Sequence, residues 1–303
     1  MSIAVEYRYI RIFFSICSIA ILLAISPVLQ ISTDKLQIFL LMFVITIGLS
    51  HGSLDWMLAK HWGLRSTIKQ GIFFGLAYMV VASISFLTWQ IFPASCLIIF
   101  LMMSMLHFAN DWRNELSRRM ACSIGIAVIS MPAVRYHHDV GIILALLVPK
   151  SEAEMITMIL RFLGWISILI TTPIIISKTY TNSEWWLAAE ITSLILLGLI
   201  VPPLLYFIVY FCNLHALKHW ISMRDLGVYQ HLSKALGSAC WPTLICIIIG
   251  VAIIHESSNL NFSDALIKTI FIGLAALTVP HWLLLEIYPK TSSFRRRNSP
   301  VIQ

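Results

Sequence analysis

The chain has 303 residues and a formal net charge of +7; 59% of its residues are hydrophobic and only 12% charged. A soluble domain carries about twice that charged fraction. Apolar runs of about 17–25 residues recur from end to end, so the chain reads as an all-α, polytopic membrane protein. The alternating segments of a membrane β-barrel are absent, and no Gly-rich phosphate loop is present. The basic residues lie in short loops and in the tail (Arg295, Arg296, Arg297). That placement suits topology and lipid headgroups better than nucleic acid.

In chain order, about ten spans (eight to ten) are predicted: 10–31, 36–59, 71–92, 94–112, 119–136, 153–178, 185–201, 202–222, 239–255 and 265–288. Arg8 and Arg11 precede the first. Ser26-Pro27 offers no small-residue cleavage site, so this span is expected to stay uncleaved. Pro93 and Pro202-Pro203 mark tight connections. The piece 138–149 is too short to span and reads as re-entrant or interfacial. No repeat or long linker divides the chain. One membrane-embedded domain over 1–303 is expected, with a disordered basic tail over 290–303. The six cysteines form no CxxC pair and read as core thiols. Lys and Arg gather at the N-terminus, after spans two, four and eight, and in the tail. This places both termini in the cytoplasm.

Four even-numbered spans end in a histidine motif: His51-Gly-Ser-Leu-Asp55, His107-Phe-Ala-Asn-Asp111, His215-Ala-Leu-Lys-His219, and Pro280-His281 with Glu286. In that topology all four run outside to inside, so their motifs share one depth near the inner leaflet. Three are i, i+4 pairs, which a helix puts on one face. Intramembrane ionisable groups are functional candidates by default. Neutral imidazoles suit iron, zinc or copper. Four of them, His51, His107, His215 and His219, would make a redox-capable iron site with open positions. Asp55 and Asp111 either ligate or orient a ring from behind, and the second role is preferred. His281 reads as a helix-to-helix hydrogen-bonding group or a pocket wall. Lys218 either snorkels or balances Asp55 or Asp111. Trp56, Trp112, Trp220 and Trp282 read as an aromatic belt. His61, His137, His138, His231 and His255 read as solvated.

The ordered motif set resembles the bacteriorhodopsin-related-protein and homolog family (Brp/Blh), membrane β-carotene 15,15'-dioxygenases of retinal-making prokaryotes. Their pattern is similar to HG-x-x-D, HFG with a following acid, H-x-x-[RK]-H, then a PH pair. The matching residues here are His51-Gly52 with Asp55, His107-Phe108 with Asp111, His215 to Lys218-His219, and Pro280-His281. The resemblance implies cleavage of the central double bond of β-carotene by O₂ into two molecules of all-trans-retinal. It also implies an Fe(II) cofactor on His51, His107, His215 and His219, with Asp55, Asp111, Lys218 and His281 around it. The expected partners are β-carotene, O₂ and the bilayer of a bacterial cytoplasmic membrane, with no nucleic acid. One departure is visible. The glycine that usually follows HF is Ala109, whose methyl is expected to narrow the approach of the backbone to substrate.

Other readings remain open at this point. A lipid desaturase or hydroxylase needs about eight histidines, including HxxHH, and a zinc protease needs HExxH. Neither pattern occurs. A haem-binding electron carrier needs only two axial histidines, although these motifs lie level and do not stack through the membrane. A transporter would use the same groups as an ion path, but no inverted repeat supports it. A retinal-binding photoreceptor needs a mid-span lysine, and Lys268 lies near a helix end.

Overall fold

The computed structural model describes residues 16–17, 41–42, 44–180, 184–256 and 259–288, with Ile47, His51 and Ile287 described in their backbone only. Every regular element among them is helical. A π-helical turn, Val44–Gly48, leads into α1 (Leu49–Gly52), followed by α2 (Asp55–His61). α3 (Ile68–Ile91) opens on a capping box. The Thr67 hydroxyl accepts from the Gln70 amide at 3.3 Å, and the Gln70 side chain accepts from the Thr67 amide at 3.0 Å. α4 (Pro93–Ala109) starts on a proline, which costs no hydrogen bond at that position. It ends in a 3₁₀ turn, Asn110–Trp112.

α5 (Arg118–Arg135), α6 (His137–Ala145), α7 (Lys150–Thr179) and α8 (Trp185–Ile200) follow. α9 (Pro203–Ile208) runs through a π-helical segment, Val209–His215, into α10 (Ala216–Asp225). α11 (Leu232–Glu256) and α12 (Phe262–Trp282) complete the set. α12 is capped by Asn261, whose side chain accepts from the Asp264 amide at 2.9 Å, and it continues into a π turn, Leu283–Ile287.

α5 is the buried centre of one half, packed on α4, α7 and α8. Small residues let helix backbones approach closely and pack. Gly125 shows this: a Cβ there would lie 2.1 Å from the Met105 carbonyl oxygen of α4. Gly164 of α7 meets Val134 and the Ser130 carbonyl of α5 in the same way, at 2.4 and 3.0 Å.

Among the described residues, five helical stretches are long and apolar enough to cross a membrane: Ile68–Ile91, Pro93–Trp112, Lys150–Thr179, Leu232–Glu256 and Phe262–Glu286. The expected count of about ten is therefore met only in part. The spans expected at 119–136, 185–201 and 202–222 are helical, but none reaches that combination. α5 carries three arginines, α8 has 16 residues, and the third is interrupted by Asn213, His215, Lys218 and His219. The piece 138–149 is the short α6, nine residues long, which packs on α7. Apart from Ile16 and Cys17, which are helical, the first expected span lies outside the described residues, as does the tail. The second is described from Leu41 onward as the broken set that ends in α2.

Candidate metal centre

Among the described residues, each of the three π-helical segments adjoins a motif histidine. Val44–Gly48 precedes the helix of His51, Val209–His215 ends on His215, and Leu283–Ile287 follows His281 by one residue. Such insertions re-aim side chains within a helix and are frequent at functional sites. Pro280, directly before His281, also removes one backbone donor from its helix.

The rings converge. His107 stands edge-on to His215 and to His281, with centroids 4.9 and 5.1 Å apart, and His219 lies 5.5 Å from His281. All four side chains are buried. α4, the π segment with α10, and α12 thus bring four imidazoles together. His51 is on α1, and its side chain lies outside the description.

Two of the rings are held from behind by the same device. Asp55 meets Nδ1 of His281 with both oxygens at 2.9 Å and accepts from the Tyr78 hydroxyl at 2.9 Å. Asp111 meets Nδ1 of His215 at 3.2 and 3.1 Å and accepts from the Tyr210 hydroxyl at 2.8 Å. A carboxylate at Nδ1 selects the tautomer with the proton there, which leaves the lone pair on Nε2. This is the orientation found behind metal-bound imidazoles. Ligand atoms of Asp55, His219 and His281 also lie within 4.8 Å of one another. Since both Asp55 oxygens are engaged by His281, an orienting role suits that residue better than ligation.

Neither ring nitrogen of His107 has a hydrogen-bond partner among the described residues, although both atoms are buried. A buried polar atom left so is costly and calls for an explanation. A metal ion among these rings would supply one, and an all-imidazole donor set suits iron as it suits zinc, copper or nickel.

A cavity of about 890 Å³ runs past His107, His215 and His281. Phe100 and Leu274 line it seven residues before His107 and His281, and Phe207 eight before His215. At 1.5 Å per residue it extends about 10–12 Å to that side. On the other side, the Ser53 and Thr243 hydroxyls, 2.8 Å apart, pin α11 near the level of Asp55. Lys234, nine residues earlier on α11, lines the far end, about 13.5 Å away. The cavity thus extends past the histidines in both directions.

The family model described as beta-carotene 15,15'-dioxygenase matches residues 42–288. The chain belongs to the beta-carotene 15,15'-dioxygenase family. A relative from uncultured marine bacterium 66A03, named beta-carotene 15,15'-dioxygenase, is 30% identical over 276 residues, which cover 85% of this chain and 96% of its own. No solved structure matches significantly.

Within this dioxygenase-family chain several expectations are corrected. Ala109 does not narrow the cavity. It is buried against α5, where a Cβ built on Gly125 would come within 3.2 Å of its methyl. Lys218 balances an acid, one of its two expected roles, but its carboxylate partner is Glu190 and not Asp55 or Asp111. Its ammonium donates to Glu190 at 2.7 Å and to the Asp111 main-chain carbonyl at 3.1 Å. Trp112 is no interfacial residue: it is fully buried, and its indole donates to the same Glu190 oxygen at 2.7 Å. Glu286 accepts from Asn110 at 2.6 Å. The five other histidines (His61, His137, His138, His231, His255) are exposed, as expected.

The sequence reading misses Glu190, Tyr78 and Tyr210. Glu190 carries a signal, being a lone carboxylate inside an apolar run. The two tyrosines carry none, because nothing local ties them to an acid on another helix.

Proposed function

We propose that the chain cleaves the central double bond of β-carotene with O₂ into two molecules of all-trans-retinal, at an Fe(II) centre held by histidines. The observation that carries this reading is the convergence of His107, His215 and His281 on the wall of a long apolar cavity, two of the rings being anchored by carboxylates. The donor set comprises His107, His215, His219 and His281, together with His51 from α1, whose Leu49 and Gly52 line the same cavity. His281 joins this set, beyond the pocket-wall role expected of it, because Asp55 holds it just as Asp111 holds His215.

Fe(II), when bound, would supply O₂ binding and activation beside the double bond. The reaction balances without an external reductant: the carbon–carbon double bond and the O–O bond break, and each carbon leaves as an aldehyde with one oxygen atom. The protein's own part is positional. A polyene hydrocarbon has no group to hydrogen-bond, so the bond cleaved is chosen by cavity shape. Cavity space on both sides of the histidines favours a bond away from the ends of a long substrate. Asp55 and Asp111, braced by Tyr78 and Tyr210, hold two rings in one tautomer. The apolar walls keep water from the reacting carbons.

The proposed setting is a bacterial cytoplasmic membrane with both termini inside, following the lysine and arginine bias of the loops. Expression in a bacterium that accumulates β-carotene tests the reading. Loss of colour with retinal formed by the wild type, and neither with His107→Ala, is expected. Unchanged colour with the protein present in the membrane would reject β-carotene as substrate, and a purified red protein with a Soret band would point to haem instead.

A further inference from the structure

α3 and α11 both pack along α12 but make little contact with each other. The cavity lies in the gap between them. Its wall there includes Gly75 and Met79 of α3, and Gly237, Trp241 and Ile245 of α11. Three of these residues also face outward: Met79 is 40% exposed, Trp241 69% and Ile245 48%. The same side chains thus line the cavity and meet the surroundings of the bundle. Those surroundings are apolar, since Phe73, Leu76, Leu244 and Ile248 on the flanking faces are exposed as well. On helices of this length and hydropathy, such faces contact lipid tails.

We propose that the gap between α3 and α11 is a lateral portal through which the long hydrocarbon substrate passes from the bilayer to the histidine centre. This rests on the functional reading above for the identity of the substrate. The physical case is direct. A polyene in the bilayer has no favourable route through water, because exposing its hydrocarbon chain to water is unfavourable along its whole length. A side opening at lipid-tail depth removes that cost. Two glycines keep the opening wide. A Cβ on Gly237 would meet nothing within 4 Å, and one on Gly75 would meet only the Trp56 ring, at 3.6 Å. Gly237 is therefore a specificity-determining position: a large side chain there fills the opening without displacing packed atoms.

The test uses the full-length protein in vesicles that carry a photoreactive alkyl-diazirine hydrocarbon, with labelled residues mapped by mass spectrometry. The wild type and Gly237→Ala are expected to be labelled on the outer residues Phe73 and Ile248 and on the inner residues Phe207 and Leu274. Gly237→Phe is expected to keep the outer labels, which report a folded bundle, and to lose the inner ones at least tenfold. Inner labelling unchanged in Gly237→Phe, or absent from the wild type, would overturn the portal. Retinal yield measured on the same samples reports separately on the functional reading, since hydrocarbon entry is scored here without catalysis.

Discussion

Asp55 and His281 lie 226 positions apart in the chain, yet both carboxylate oxygens of Asp55 sit 2.9 Å from Nδ1 of His281. Asp111 and His215, on another pair of helices, repeat the arrangement at 3.2 and 3.1 Å. A tyrosine hydroxyl braces each acid. Two Tyr–Asp–His series thus approach the central His107 from opposite partners, and the centre stands on that symmetry.

Breaking either acid should loosen the metal before it unfolds the bundle. Asp55→Asn and Asp111→Asn are expected to lower iron affinity by about 10- to 100-fold, the usual effect of losing the partner behind a metal-bound imidazole. Iron titration of the purified variants measures this. Wild-type affinity in both would separate the acids from metal binding.

The tyrosines act one step further out. Tyr78→Phe and Tyr210→Phe each remove one hydrogen bond to a buried carboxylate, which is worth about 1.5–3 kcal/mol for a charged acceptor. Each should weaken iron binding, but less than the Asn variant on the same arm. An equal or larger loss would mean that the hydroxyl does more than brace its acid.

Glu190 and Lys218 form a pair that is buried in the bundle, with 2% and 17% of their side chains exposed and 2.7 Å between the charges. Glu190→Leu alone should destabilise by about 3–5 kcal/mol, because Lys218 is left without its counter-charge. The double variant Glu190→Leu/Lys218→Met should recover much of that loss. Thermal unfolding in detergent decides between this and simple additivity.

Ala109→Gly should leave substrate choice unchanged, since the methyl packs against Gly125 and does not line the cavity. Gly125→Leu should fail to accumulate in the membrane, because its Cβ would lie 2.1 Å from the Met105 carbonyl. A changed carotenoid preference in Ala109→Gly, assayed on two substrates of different length, would put position 109 back at the cavity.

The histidine motifs are legible in the sequence because helix periodicity is local and intramembrane ionisable residues stand out in apolar runs. Their partners are less so. Spacing pairs Asp111 with His107 on one helix face, whereas the structure turns Asp111 to His215, on the neighbouring π segment. That segment breaks the regular period just where a spacing argument would depend on it. His281 looks solitary in sequence for the same reason, as its acid arrives from α2. Lys218 is conspicuous, but its partner Glu190 belongs to α8 and can be assigned only once helices are placed side by side. The site blurs the number of spans only over 202–222, where its polar residues interrupt the apolar run, whereas α5 falls short through its arginines and α8 through its length.

The most direct measurement is the metal content of the purified wild type and of His107→Ala, set beside their retinal formation from β-carotene. The account predicts one iron per chain with central cleavage in the wild type, and loss of both in His107→Ala. A wild type that cleaves β-carotene without iron, or a His107→Ala variant that keeps its iron and its activity, would contradict it.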